Sequence, residues 1–207
     1  MQETKETTLV IDVGKVNNRF FINTACIGID ADVAGNVPLM KRRKVPISQI
    51  YNASLVYTFF IYKFKELAVR FNNVNKKGKY TIVTACNGRY YGNGYKIAPN
   101  AKINDGLFDI YFADEIKKRK IPGLVVKLRK GTHGESKYVH KEESDSITIE
   151  SEKRIKCNID GETIKGKIFN ITLEKSVVTL YNNIELIERF LGSEKKTNSV
   201  KEEAAVP

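Results

Sequence analysis

The sequence predicts a mainly β protein, a β sandwich or distorted barrel with one or two side helices. Many short segments rich in β-branched and aromatic residues follow one another closely. Gly, Asn, Asp and Pro punctuate them as turns, and only a few stretches carry helix punctuation. Short strands with few helices build sandwiches and barrels.

The elements follow in order. Thr8–Val13 and Arg19–Asn23 read as strands around a turn at Gly14. Thr24–Pro46, with Gly28, Gly35 and Pro38, reads as a loop. Ser48 is placed to cap a helix over Gln49–Lys63, whose aromatic stripe reads as core or as the lining of an acyl-chain pocket, the core reading being favoured. Leu67–Phe71 alternates as a strand, Asn72–Gly78 turns the chain, and Tyr80–Cys86 returns as an apolar strand. Asn87–Gly106 is a long Gly-rich loop, and loops of that length inside a compact domain are often functional. Phe108–Phe112 is a strand. Pro122–Lys130 is a short helix, with Pro at its first turn and Gly131 at its exit. Lys137–His140, Ser146–Glu150 and Ile155–Ile159 read as strands. Asp160-Gly161 is a hairpin turn, and Ile168–Leu173 and Val177–Tyr181 close the sheet. Ile184–Leu191 reads as a last helix, and residues 192–207 as a polar, disordered tail.

Composition narrows the function classes. The 207 residues carry a net charge of +11, which attracts nucleotide phosphates, anionic lipid or nucleic acid. The cluster Lys41-Arg42-Arg43-Lys44 suits an anionic membrane surface, although a solvated loop is the plainer reading. Nucleic acid is not expected, because neither a recognition helix nor zinc-finger spacing is evident. Cys26, Cys86 and Cys157 lack CxxC spacing and read as buried free thiols, as in a reducing cytosol. The polar N-terminal residues form no signal core, and the apolar run Leu55–Phe64 is too short and too polar to span a bilayer. His133 and His140 are too few for a histidine metal site, and His133 reads as a turn or surface residue.

Three segments carry chemistry-bearing residues: Phe21 to Asp32 (FINTACIGIDAD), Asn87 to Asp109 (NGRYYGNGYKIAPNAKINDGLFD) and Ile159-Asp160-Gly161-Glu162. Each alone reads as turn chemistry. Their order and spacing change that. Together they resemble the C-terminal domain of the diacylglycerol kinase family, in its soluble bacterial lipid-kinase branch. The resemblance spans about Ile11 to Leu180. Where many relatives have three consecutive glycines, this chain has Gly92-Asn93-Gly94.

The resemblance implies roles. Asp160 takes the place of the general base. Glu162 takes the place of the residue that joins a water and Mg²⁺ network with carboxylates of a second domain. Lys102, Asp105 and Leu107 take the places of the metal loop, two through main-chain carbonyls and Asp105 through its carboxylate, an oxygen set that suits Mg²⁺. ATP is the implied co-substrate, held by an N-terminal α/β domain with a Gly-Gly-Asp-Gly-Thr loop, a run that does not occur here. Residues 1–181 then form the lipid-kinase C-terminal domain, and 182–191 return to the N-terminal kinase domain. The expectation is a fragment with little kinase activity alone and an apolar patch for that domain. It would be cytoplasmic and peripheral to the membrane, with a lipid substrate at the membrane surface. A homodimer is left open.

Elementary chemistry agrees with these assignments. An ordinary Asp has a pKa near 3.9, whereas bulk water, standing in for the lipid hydroxyl, lies near 15.7. Complete proton removal before attack would require about 16 kcal/mol at about 1.36 kcal/mol per pKa unit. Asp160 is therefore expected to orient the hydroxyl and take its proton late, as a loose phosphoryl-transfer transition state allows. The leading reading is conversion of diacylglycerol to phosphatidic acid. Rivals are another lipid alcohol, such as phosphatidylglycerol or a sphingoid base, and a non-catalytic lipid- or membrane-binding module.

Overall fold

The computed structural model describes residues 8–92 and 94–181. Nine strands and three α-helices build it: β1 (Thr8–Val16), β2 (Arg19–Phe21), β3 (Thr24–Gly28), α1 (Ile29–Arg42), α2 (Ile50–Ile61), β4 (Lys65–Phe71), β5 (Val74–Cys86), β6 (Phe108–Asp114), α3 (Ile121–Lys130), β7 (Val139–Ser144), β8 (Ser146–Ile159) and β9 (Glu162–Tyr181). The mainly β class expected from the sequence is what the chain adopts.

All strands join one antiparallel sheet in the order β2-β1-β9-β8-β3-β5-β6-β7. β4 pairs with both β5 and β8. β3 also pairs with both, so β3, β5, β4 and β8 close a ring and the sheet becomes barrel-like. Closure pairs these four strands on both sides and, among the described residues, leaves only β2 and β7, of three and six residues, at the ends of the strand order. Inward-facing residues fill the interior: Phe108, Phe169, Ile27, Leu67, Ile110, Ile147, Ile149 and Ile171 are fully buried. Phe21 stacks on Phe108 with ring centroids 5.7 Å apart.

The region expected to be a loop between Thr24 and Pro46 is β3 followed by α1. All five residues of β3 are buried, so its sequence shows no alternation. Gly35 and Pro38 lie inside α1, and a proline in a helix interior usually kinks or breaks it. The end charges were the readable signal, with Asp30 and Asp32 in the first turn and Lys41 and Arg42 in the last.

Ser48 does not cap α2. It lies in a 3-10 turn, Ile47–Gln49, and no side chain caps the helix. The aromatic stripe is only partly core: Tyr62 is buried and Phe59 packs against Ile116 and Ile121, but the face turned to α1 is not aromatic. α2 buries Ser54 and Thr58 against α1, where the Ser54 hydroxyl donates to the Val33 carbonyl (2.6 Å) and the Asn36 amide to the Thr58 Oγ1 (2.9 Å). Small residues there let the helices approach closely, while Phe60 is left exposed.

Several strand ends shift. β5 begins at Val74, so only Asn72 and Asn73 turn the chain. β7 lies later than expected, at Val139–Ser144. The two strands read on each side of Ser151–Arg154 are one strand, β8, whose pairing with β9 is broken between Glu150 and Ile155. Likewise Ile168–Leu173 and Val177–Tyr181 are parts of β9, interrupted where Ser176 adopts φ +55°. The helix at Pro122–Lys130 forms as expected, and Gly131 ends it at φ +78°. The expected helix Ile184–Leu191 and the tail 192–207 lie outside the described residues.

Candidate functional site

The β8–β9 hairpin turns through Asp160 and Gly161, at φ +46° and +96°, with Ile159 opposite Glu162. Two consecutive positive φ values match the right-handed twist of the strands. The turn aims the Asp160 carboxylate back at the β2–β3 corner. There its oxygens accept backbone N–H bonds from Ile22 (2.6 Å), Asn23 (3.1 Å) and Thr24 (2.8 Å). The Asp160 N–H in turn donates to the Thr24 carbonyl (3.1 Å). The side chain is thus fixed in orientation at the wall of a cleft.

That cleft, of about 900 Å³, is bounded by Asn23, Thr24, the Gly35–Pro38 stretch of α1, Tyr91, Gly92, Asn158, Asp160 and Thr163. Lys41, Lys156 and Lys165 also line it, a cationic wall suited to phosphate. Lys156 lies 3.7 Å and Lys65 2.8 Å from the two oxygens of Asp32. The Gly-rich loop forms a second, adjoining cleft that shares Asn23, Tyr91 and Gly92 with the first and includes Asn87, Arg89 and Ile103. Asn87 is buried, and its side-chain amide ties the Asp12 and Ile22 carbonyls (2.9 and 2.8 Å).

Glu162 opens β9, largely exposed, 3.5 Å from the Arg19 guanidinium, and does not line the cleft. The structure therefore brings Asp160, but not the side chain of Glu162, to the cleft wall.

Lys102, Asp105 and Leu107 lie on an exposed bend before β6. Asp105 Oδ1 accepts the Leu107 N–H (3.2 Å). A residue not anticipated holds this bend. Asp12, buried at the β1 bulge, accepts N–H bonds from Gly106 (2.8 Å) and Ser176 (2.7 Å) and donates its own N–H to the Ile103 carbonyl (2.8 Å). A charged residue inside an otherwise apolar strand, Leu-Val-Ile-Asp-Val, was its only sequence signal. Asp109, the last carboxylate of the motif, is also buried. Lys141 contacts its Oδ1 at 2.9 Å, and its Oδ2 has no protein partner. Burial raises its pKa above the usual carboxylate range. The oxygen-only set of the 102–107 bend, beside an orphaned carboxylate oxygen, fits a hard cation such as Mg²⁺. Among the described residues no group of three or more His, Cys, Asp or Glu side chains clusters.

A second missed group sits behind the cleft. Asp30, buried in the first turn of α1, accepts from the Tyr51 hydroxyl (3.2 Å) and the Asn158 amide (3.2 Å). Tyr91 also bonds it. Burial raises the Asp30 pKa despite these bonds, and burial raises those of Tyr51 and Tyr91. Asp30 also lines an apolar cavity of about 110 Å³ walled by α2 (Tyr51, Leu55) and α3 (Leu124, Leu128). Tyr51 and Tyr91 line both this cavity and the Asp160 cleft. His133, expected in a turn or at the surface, does open a 3-10 turn but is buried on the cavity wall, its ring 5.0 Å from Tyr111. Burial lowers its pKa. The three cysteines are free and buried, as expected. No helix among the described residues is long and apolar enough to cross a membrane.

Comparison with known proteins follows the same outline. The family described as "YegS C-terminal NAD kinase beta sandwich-like domain" matches residues 23–180. The chain is 26% identical to a "Probable lipid kinase YegS-like" of Shewanella frigidimarina over 76% of its own length and 50% of the relative's. It is 22% identical to a "Diacylglycerol kinase" of Staphylococcus saprophyticus over 86% of its own length and 60% of the relative's. It thus spans about half to three fifths of these relatives. A crystal structure of a diacylglycerol kinase from Bacillus anthracis superposes with a TM-score of 0.58 at 16% identity, covering 86% of this chain and 56% of that one.

Proposed function

Because the chain belongs to the family of YegS C-terminal NAD kinase beta sandwich-like domains, we propose that it is the acceptor-side half of an ATP-dependent lipid kinase that converts diacylglycerol to phosphatidic acid. One observation carries the reading. Buried Asp30 and Asn158, with half-buried Tyr51 and Tyr91, stand between an apolar cavity and the cleft of Asp160. A molecule with a hydrocarbon end and a hydroxyl end fits that junction. Dry apolar cavities accept hydrocarbon, and a few convergent polar groups orient the rest.

In this reading the acyl end enters between α2 and α3, and the hydroxyl lies toward Asp160. The three backbone N–H groups hold the Asp160 carboxylate in place, leaving its remaining lone pairs for the hydroxyl proton. The proton passes to Asp160 late, as bonding to phosphorus develops. Lys41, Lys156 and Lys165 offset charge on the transferred phosphoryl group. Lys102, Leu107 and Asp105 would hold Mg²⁺, which supplies fixed positive charge at the edge of the Gly-rich loop. ATP would be held by an N-terminal kinase domain, and Glu162, exposed on that side, would meet its carboxylates.

A second reading rests on the same lysines. Three cations around the acceptor cleft also suit an acceptor that itself bears a phosphate, such as phosphatidylglycerol.

The test fuses this chain to the nucleotide domain of a relative and measures transfer from radiolabelled ATP to diacylglycerol and, separately, to phosphatidylglycerol. Phosphatidic acid is the expected product. Asp160→Asn is expected to lower turnover about 10²–10⁴-fold. Equal activity in the Asn variant would show that Asp160 is not the base, and preference for phosphatidylglycerol would favour the second reading.

A further inference from the structure

Charge is distributed very unevenly along the chain. Residues 33–65 and 116–134 contain no Asp or Glu, yet together carry thirteen Lys and Arg. That exceeds the net charge of the whole chain, +11, so everything else sums to −2. These two segments contain most of α1, all of α2 and all of α3. Folding brings them together: Phe59 of α2 joins Leu124 and Val125 of α3 around Ile116 and Ile121.

The same elements expose apolar side chains to solvent. Phe60 is 71% exposed, Val56 58% and Ile61 50% on α2, and Val126 is 55% exposed on α3. Val56 and Phe60 are four residues apart and share one face of α2. Both basic runs are anchored beside this ridge. From the Lys41–Lys44 run, the Arg43 guanidinium lies 5.2 Å from the Tyr57 ring centroid. From the Lys117–Lys120 run, the Lys118 ammonium donates to the Phe60 carbonyl (2.9 Å). An apolar ridge flanked by lysine and arginine, in segments that contain no acid of their own, is the chemistry of an anionic bilayer surface.

We infer that the α2–α3 face docks on an anionic membrane, with Phe60, Ile61, Val56 and Val126 in the boundary between headgroups and acyl chains and the two basic runs on lipid phosphates. The helices that make this contact also wall the apolar cavity, so a lipid leaving the bilayer would have only their thickness to cross. The inference deepens the lipid-kinase reading and rests on it for why a membrane is met at all. Its test reads binding alone, so the two can fail separately.

The experiment is co-sedimentation of the full chain with phosphatidylcholine vesicles, with or without phosphatidylglycerol. Binding is expected only with the anionic lipid, and is expected to weaken as added salt shortens the screening length. Phe60→Ser/Ile61→Ser is expected to bind about tenfold more weakly, and so is Arg42→Glu/Arg119→Glu. All four positions are exposed, and thermal melting is expected to show unchanged folding. The chain has no tryptophan, so Phe60→Trp supplies a single emission reporter, expected to shift to the blue on anionic vesicles. The inference is overturned if wild type ignores anionic vesicles or binds neutral ones equally. Serine variants that bind as wild type does, or a tryptophan whose emission does not move, overturn it too. A dimer in sedimentation velocity that Phe60→Ser/Ile61→Ser abolishes, without vesicle binding, would reassign the face to a second copy of the chain.

Discussion

Asp160 combines a positive φ with a carboxylate held by three successive backbone N–H groups, so the residue shapes the cleft as well as lining it. An amide at this position would turn a donor toward donors. Asp160→Asn is therefore expected to lose about 1.5–3 kcal/mol of stability in denaturant titration, independently of turnover. Activity must accordingly be compared at temperatures where both proteins are folded. Two other residues give opposite pH signatures. Asp30 has a pKa raised by burial, so its contribution to stability is fully present below its unfolded value near 3.8 and is lost as pH rises through the folded value. Asp30→Asn is expected to flatten that loss in melts taken upward from about pH 4. His133 has a pKa lowered by burial from about 6.5, so its contribution is present above that value and is lost as pH falls through the folded value. His133→Phe is expected to remove this acid-side loss. The turn at Asp160 was legible because Asp-Gly between apolar strands is strong turn chemistry, whereas its role followed only from the family resemblance. Asp12, Asp30 and His133 could not be assigned roles, because burial of a polar residue depends on what packs over it.

At the scale of elements, the passage from β3 into α1 turns on Gly28. Its φ is +117°, and a β-carbon would lie 2.3 Å from the Thr81 carbonyl oxygen and 2.9 Å from the Ile82 Cα. Those are backbone atoms of β5, which pairs β3, and neither can move without breaking the ladder. Gly28→Ala is expected to cost more than about 1–3 kcal/mol, seen as a lowered melting temperature, and to displace Asp30 from Tyr51. Gly35 offers the contrast. A β-carbon there would meet the flexible end of Lys156, 2.6 Å from its Nζ, so Gly35→Ala is expected to fold but to disturb the Lys156–Asp32 pair and the cleft wall. Strands that alternate were legible; β3 was not, because every residue in it is buried. α1 was hidden by Gly35 and Pro38, whose helical placement is overridden by packing on α2 and β8.

At the scale of the molecule, ring closure by β3, β5, β4 and β8 gives a rigid body with different faces. One carries the α2–α3 ridge. Elsewhere, Phe20, Ile22 and Ile168 are exposed on β2, the β2–β3 corner and β9, with Phe20 next in sequence to Arg19 of the Arg19–Glu162 pair. On the proposed reading these exposed apolar side chains receive the nucleotide domain. Phe20→Ser/Ile168→Ser is expected to weaken reconstitution with a separately added nucleotide domain about tenfold, while vesicle binding stays unchanged. Phe60→Ser/Ile61→Ser should do the reverse. If the first pair weakens vesicle binding and spares reconstitution, the two faces have been assigned the wrong way round.

Turn chemistry, alternation and the order of three motifs were enough to read from the sequence the mainly β class, the Asp160 hairpin, the long Gly-rich loop, the buried thiols and the family. These are local properties, since a type I′ turn or a half-buried strand leaves its signature in neighbouring residues. Tertiary structure alone decided which polar residues go inside, that the helix facing α1 does so with Ser54 and Thr58 rather than its aromatics, and that the two acid-free segments share a face. Such outcomes depend on contacts between residues distant in sequence, and no window of neighbouring residues encodes them.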